Sequence, residues 1–266
     1  MFPAHHRSAP PFTGFELSRT DEIKEALDFG PGFALVRGFP LDDRSLPETV
    51  DELEAIAAQL GPVTRHGATG QTVWPITPRR EVGALPTFSE TSAEAPLHTD
   101  NSWVARPERY LAMLTLVPAN RGGESIVLGL EEALGEMAET PKGKRAIDCL
   151  SRQKFPFASP TIFEEGKNSS SIDGSCVLAS VLGPGPTIRY RHDLILEGLA
   201  RHPDLATSEG IESLDYLHRY LTNALNRSVR LPLERGDLLF VSNTRALHAR
   251  TEFCDPERFL LRVRMG

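Results

Sequence analysis

Cysteine is scarce in this chain, tryptophan scarcer, and a membrane-length apolar run is missing altogether. Cys149, Cys176 and Cys254 are odd in number, far apart and outside any Cys-x-x-Cys spacing. They fit reduced core or surface thiols of a cytoplasmic protein better than a disulfide framework. Positive charge is also in deficit. The 29 Lys and Arg against 36 Asp and Glu leave a formal net charge of −7 and a pI near 5.7. That excludes a general affinity for nucleic acid or anionic membrane. No stretch approaches the roughly 20 apolar residues that cross a bilayer. The opening MFPAHHRSAPPF lacks the apolar centre of a signal peptide, so the glycosylation-like Asn168-Ser169-Ser170 carries no weight. The expectation is a soluble cytoplasmic protein acting on a small molecule.

What remains is ordinary globular composition, 40% hydrophobic and 24% charged. Without internal repeats or a long linker, residues 1–266 read as one domain behind a Pro-rich arm over residues 1–20. Thr20 is placed to cap a short helix, Asp21–Phe29, and Phe33–Phe39 reads as a buried strand between Gly32 and Pro40. Val50, Leu53, Ala57 and Leu60 fall on one face of a helix from Pro47 to Leu60, which Gly61-Pro62 ends. Residues 65–94 are polar and rich in Gly, Pro and Thr, and predict a long loop. Further on, Glu108–Val117 predicts a strand, Leu130–Met137 and Lys142–Leu150 short helices, and residues 165–174 a flexible loop. Ile211–Leu225 predicts a helix preceded by Gly210. The turn Glu234–Asp237 opens a strand, Leu238–Ser242.

The last segment alternates with period two. Arg258, Leu260, Arg262 and Arg264 share one face; Phe259, Leu261, Val263 and Met265 share the other. A row of arginines facing inward is costly unless carboxylates or anions meet it; facing outward it is an ordinary solvated edge. The strand alone leaves both open.

The stretch LHTDNSW (97–103) sets His98 and Asp100 two residues apart. On an extended segment such residues point the same way and can share an ion. His248, just beyond the strand Leu238–Ser242, supplies a third ligand. Two histidines and a carboxylate on one octahedral face make the triad of non-haem iron(II) oxygenases. The competing reading is a turn with a capping aspartate. The chain contains its own control, Arg201-His202-Pro203-Asp204, whose interrupting proline and flanking helices predict a turn with a helix cap.

His98-Thr99-Asp100, Gly122-Gly123-Glu124-Ser125, Gly236-Asp237 leading to Asn243 and His248, and Arg258-Phe259-Leu260-Leu261-Arg262 together resemble the TauD/TfdA superfamily of Fe(II)/2-oxoglutarate dioxygenases. The stretch from Asn243 to Arg250 is similar to its clavaminate-synthase-like branch, and Gly32–Phe39 resembles the N-terminal strand of such proteins. The resemblance covers residues 32–265. It implies an α+β fold, a double-stranded β-helix or distorted jelly roll flanked by helices, with the metal at its mouth.

The resemblance also assigns roles. His98, Asp100 and His248 would be the iron ligands. Arg258 would hold the distal carboxylate of 2-oxoglutarate, with Arg262 and then Arg250 as alternatives. Ser125 stands where the family often has a threonine that binds the same carboxylate, and Arg262 would face a substrate anion. With O2 as second cosubstrate, the reaction implied is oxidation of an unactivated C–H bond. Hydroxylation is the default, with desaturation, ring closure and epoxidation as variants. The substrate implied is a small carboxylate-bearing or amino-acid-like molecule, and the setting implied is specialised metabolism. Asp100 argues against halogenation, since the halogenases lack that carboxylate. Residues 65–94 would form a lid, with Phe88, Ser89 and Trp103 as wall residues, although an ordinary core aromatic is the simpler reading of Trp103. Asn243 and Asp237 would fix the strand end near His248. His66 and His192 border loops near the pocket, His218 lies on a helix, and His5 and His6 lie in the arm. Two alternatives compete: a zinc-dependent hydrolase on the same His/Asp/His set, and a non-catalytic ligand-binding protein on the same scaffold.

Overall fold

Both faces of the C-terminal strand are buried, because it lies inside a sheet that has helices on one side and a second sheet on the other. The structure, a computed structural model, describes residues 12–13, 19–66, 70–78, 88–160 and 176–266. In chain order its strands and helices begin with β1 (Phe12–Thr13), α1 (Thr20–Asp28), β2 (Phe33–Arg37), α2 (Leu46–Leu60) and β3 (Val73–Ile76). There follow β4 (Ala95–His98), β5 (Tyr110–Val117), β6 (Ser125–Gly129), α3 (Leu130–Met137) and α4 (Pro141–Arg152). The hairpin strands are β7 (Phe155–Ala158), β8 (Cys176–Ala179), β9 (Leu182–Gly183) and β10 (Thr187–Ile188). The chain closes with α5 (His192–Arg201), α6 (Ser208–Ala224), β11 (Val229–Leu231), β12 (Leu238–Ser242), β13 (Ala246–Arg250) and β14 (Phe259–Met265).

The larger sheet runs β1-β2-β12-β5-β14-β3 and the smaller β11-β6-β13-β4. Apart from the parallel β1–β2 pair, the pairings are antiparallel. Phe33, Leu35, Leu111, Met113 and Leu260 of the larger sheet meet Val127 and Ala246 of the smaller one in a shared core. On the outside, Phe259, Leu261, Val263 and Met265 pack with Leu27 of α1 and Leu53, Ala57 and Leu60 of α2. The smaller sheet's outer face is covered by α4, α5 and α6 through Leu150, Leu199, Leu214, Leu217 and Leu221. This is the double-stranded β-helix flanked by helices, and its open end lies between β4, β13 and β14.

Several local expectations shift. α1 starts at Thr20 itself, with Arg19 at the cap position and no capping side chain; the Thr20 hydroxyl instead donates to Gln59 Oε1 at 2.8 Å, tying α1 to α2. Ser45 and Glu48 form a reciprocal capping box on α2. α6 begins at Ser208 with Thr207 as its cap, so Gly210 lies inside the helix. The internal control behaves as a turn, but Pro203–Leu205 is a 3-10 turn and Thr207, not Asp204, caps α6. Within residues 65–94, Val73–Ile76 forms an edge strand against β14, tolerating Pro75 as edge strands do. Phe88–Glu90 is a 3-10 turn. The rest of the proposed lid, 67–69 and 79–87, lies outside the described residues, as do the arm apart from residues 12–13 and 19–20, and the loop at 165–174.

Gly122 shows how tightly the turn before β6 is set. Its φ is +71°, and a Cβ there would lie 2.1 Å from the Glu252 carbonyl oxygen. Gly122→Ala is therefore expected to lower stability by at least about 2 kcal/mol, through left-handed strain plus a backbone clash. A thermal or denaturant melt checks this, and an unchanged midpoint would contradict the turn geometry.

Candidate active site

Sheet register, more than sequence spacing, brings the histidines together. His98 ends β4 and His248 lies in the middle of β13, and the two are direct cross-strand partners. Opposed residues on neighbouring strands project to the same face with Cβ atoms about 5 Å apart. Here the ring centroids are 4.2 Å apart. Asp100 follows two residues after His98, in the turn that leaves β4. His98 Nε2 and His248 Nε2 each lie 3.5 Å from Asp100 Oδ1. Among the described residues this trio is the one group whose ligand atoms converge, all within 4.8 Å.

Buried hydrogen bonds hold the turn. Asp100 N–H donates to Asn243 Oδ1 at 2.6 Å, and Asn243 Nδ2 donates to the carbonyls of Asp100 (3.0 Å) and Glu108 (2.9 Å). From the other side, Thr99 N–H donates to the Tyr190 carbonyl at 2.8 Å and Tyr190 N–H to the Thr99 hydroxyl at 2.9 Å. Asn101 takes a φ of +51° and its amide donates to both oxygens of buried Glu108. Asp237 acts further away, accepting from Glu234 N–H at 3.0 Å in the turn that launches β12.

The electrostatics favour a metal. Burial, and then the neighbouring His248, lower the His98 pKa to about 4, so the ring is neutral near pH 7. His98 Nδ1 lies 2.8 Å from the Pro96 carbonyl. A carbonyl only accepts, so Nδ1 carries the proton and Nε2 presents its lone pair towards Asp100 and His248. Burial pushes the Asp100 carboxyl up, but Arg262, Arg264 and the two histidines outweigh it and hold it well below the usual range. Arg262 Nη1 and Arg264 Nε both reach Asp100 Oδ2, at 3.0 and 2.9 Å. One carboxylate oxygen thus meets the arginines while the other faces the imidazoles. The inward arginine face of β14 is real, and a carboxylate meets it.

Arg258 differs from its neighbours. It is 3% exposed and its Phe253-stacked guanidinium makes one long hydrogen bond, Nη2 to the Gly123 carbonyl at 3.3 Å. Among the described residues, Nη1 is buried without a partner. Burial, then Arg250, lower its pKa to about 10, which leaves it charged. A Cβ on Gly123 would sit 3.0 Å from Arg258 Nε, so the second glycine of the Gly-Gly turn makes room for the guanidinium. Arg258 lines a cavity of about 50 Å³ with Ser125, His98, His248, Met113 and Arg262. Arg250 also borders it, but its guanidinium donates to the carbonyls of Phe88 and Thr91 at 2.9 Å each, and to that of Ala93. Arg250 staples the Phe88–Ala93 segment to β13. Two histidine nitrogens, a carboxylate oxygen and a buried, partnerless guanidinium nitrogen fit a divalent metal with an anionic chelator beside it.

Phe88 and Ser89 line the same cavity, and Phe88 packs edge-on to His98 at 5.2 Å. Trp103 stands apart, beside the guanidinium of Arg191 at 5.9 Å. His66 stacks on Trp74 at 4.0 Å, and His192 stacks on His218 at 3.7 Å. Sequence reasoning gives no role to Arg264 or Arg191. The alternation of β14 already places Arg264 on the arginine face; Arg191 pairs locally with Asp193, but its contact with the Phe88 ring comes from far away in the chain.

Fold and donor set define a non-haem iron oxygenase that uses 2-oxoglutarate. The chain belongs to the TauD/TfdA family, the model for which ("Taurine catabolism dioxygenase TauD, TfdA family") matches residues 8–264. Among solved structures it is similar to an asparagine oxygenase solved with Fe(II), 3-hydroxyasparagine and succinate: TM-score 0.71, 20% identity, 94% of this chain and 78% of that one. It is also similar to the non-haem iron oxygenase OrfP with iron and α-ketoglutaric acid: TM-score 0.69, 18% identity, 94% and 80% covered. At these identities the likeness carries the fold. No curated protein matches the chain. Family membership sets aside the zinc hydrolase and the non-catalytic scaffold. No helix among the described residues is long and apolar enough to cross a membrane.

The clamp on the Asp100 turn yields a direct expectation. Asn243→Ala strands one buried N–H and two buried carbonyls, each costing about 1–3 kcal/mol. Metal-free protein should melt several degrees lower, and iron affinity should fall by about tenfold or more. An unaltered melt together with unaltered iron affinity would show that Asn243 does not hold the turn.

Proposed function

We propose that this oxygenase, a single domain over residues 1–266, hydroxylates a C–H bond of a small carboxylate-bearing, amino-acid-like molecule. His98, Asp100 and His248 hold the iron; Arg258 and Ser125 bind the distal carboxylate of 2-oxoglutarate. The observation that carries the assignment is the buried Nη1 of Arg258, without a partner among the described residues, in the cavity that both histidines line. A buried cation with an unmet donor has a strong preference for a carboxylate. When bound, iron with 2-oxoglutarate and O2 supplies the oxidising power: one oxygen atom enters the substrate as hydroxyl, the other enters succinate, and CO2 leaves.

The protein's own part is positioning and exclusion. His98 offers a neutral nitrogen, His248 brings its ring alongside from the facing strand, and Asp100 offers the oxygen its arginines leave over. Arg262, partly buried, with Nη1 on Asp100 and, among the described residues, Nε without a partner, borders the substrate side. Phe88 and Ser89 wall the cavity. A net charge of −7 supports a free small molecule rather than nucleic acid as substrate; the setting proposed for the enzyme is the cytoplasm and specialised metabolism. Hydroxylation of free amino acids is what the similar asparagine oxygenase and OrfP suggest by their bound hydroxyasparagine and hydroxyarginine.

Arg258→Ala should raise the apparent KM for 2-oxoglutarate by tenfold or more, since a charge-assisted contact is worth about 1.5–3 kcal/mol. Succinate formation is the readout, and iron affinity should hold steady. An unchanged KM in Arg258→Ala, with 2-oxoglutarate use abolished in Arg262→Ala, would reverse the two arginines' roles.

A further inference from the structure

Beyond His98 lies a second cavity, of about 270 Å³, with His98 as a shared wall. Leu97, Leu196, Leu221 and Leu225 give it an apolar lining. Its polar end is built from three rings. Tyr190 Oη lies 3.0 Å from His218 Nδ1, and His192 stacks on His218 with planes 3° apart. Among the described residues, His192 Nε2 is buried without a partner. The volume lies just below the ~300–1,000 Å³ of sites for drug-sized ligands, which suits one small molecule. Mostly apolar walls with a few convergent polar groups are the usual composition of such a site.

Arg191 and Asp193 border this cavity. Arg191 Nε and Nη2 pair with the two Asp193 oxygens at 2.8 and 2.6 Å. Most exposed pairs of this kind are worth little, but this one is built differently. The Arg191 side chain is only 14% exposed, with its guanidinium 4.3 Å from the Phe88 ring centroid and 5.9 Å from that of Trp103. Phe88 in turn packs against His98. Among the described residues Nη1 has no partner, and half-exposed Asp193 keeps acceptor capacity. A donor fork and a carboxylate, fixed side by side next to a metal ligand, complement a zwitterion. Arg262 and Arg264 are already directed at Asp100.

We propose that Arg191 and Asp193 recognise the carboxylate and ammonium of a free amino-acid substrate whose side chain enters the cavity ending at Tyr190, His192 and His218. This rests on the oxygenase reading and names the part of the molecule that selects the substrate. Aromatic stacking holds the guanidinium in a fixed plane, so its contact with a carboxylate costs little ordering. The partnerless His192 nitrogen favours a side chain that ends in a hydrogen-bonding group over a purely aliphatic one.

The test is anaerobic calorimetry on protein loaded with Fe(II) and 2-oxoglutarate, titrated with each standard L-amino acid in turn, then with the N-acetyl and decarboxylated forms of the tightest binder. Wild type should bind at least one free amino acid and lose it on either modification. Arg191→Met and Asp193→Asn should each weaken that binding about tenfold or more, while iron and 2-oxoglutarate still load. Leu225→Trp, which narrows the cavity without touching either charged group, should weaken larger amino acids more than glycine. Equal binding in both charge variants, equal binding of the modified forms, or binding of simple carboxylic acids but of no amino acid, would overturn the proposal and leave the oxygenase reading standing. Failure of wild type to load iron and 2-oxoglutarate would overturn both.

Discussion

A carboxylate that is 5% exposed is the constraint around which this molecule is arranged. Left unpaired, a buried Asp100 would cost several kcal/mol. The fold divides its two oxygens between two tasks. Oδ2 receives Arg262 and Arg264 from β14, in the larger sheet. Oδ1 faces the imidazoles of β4 and β13, in the smaller sheet. Asp100 therefore joins the two sheets at their open end, and the same contact that satisfies its charge orients it for metal.

Arginines crowd this point. Arg262 and Arg264 on β14, and Arg258 just before it, share one face, with Asp100 and Glu108 among the carboxylates near them; Glu108 accepts hydrogen bonds from Thr64 and Asn101. Among the described residues Arg258 is left with a buried Nη1 that has no partner. A site with buried guanidinium, two histidines and one carboxylate suits a divalent cation together with a doubly charged anion. That is the charge pattern of iron with 2-oxoglutarate. The Gly-Gly turn before β6 and the carbonyl staple made by Arg250 are the packing devices that keep Arg258 in place.

Much of this was legible in the chain because two periods carry it. The period-two alternation of residues 258–265 separates the arginine face from the apolar face, and β14 realises both. The amphipathic helices over residues 47–60 and 211–225 appear within a few residues of where their leucines predict. What stayed hidden has physical reasons. β3 is masked by Pro75, tolerable only because it is an edge strand. β7, a four-residue strand buried on both faces, has no alternation to display. The closeness of His98 and His248 depends on register between strands some 150 residues apart, which no local pattern encodes. Arg191 is the clearest case: its partner Asp193 is two residues away, but Phe88 and Trp103 reach its guanidinium only through folding. Motif order pointed to the metal ligands, whereas the surroundings of Arg191 come from tertiary contact.

The central claim is that the Asp100 site binds iron and 2-oxoglutarate together. The most direct measurement is an anaerobic titration of metal-free protein with Fe(II) and then 2-oxoglutarate, following the weak visible charge-transfer band of the chelate, with His98→Ala alongside. The account predicts a saturable band in the wild-type protein and none in the variant. Tight iron binding without a band, or an equal band in both proteins, would contradict it.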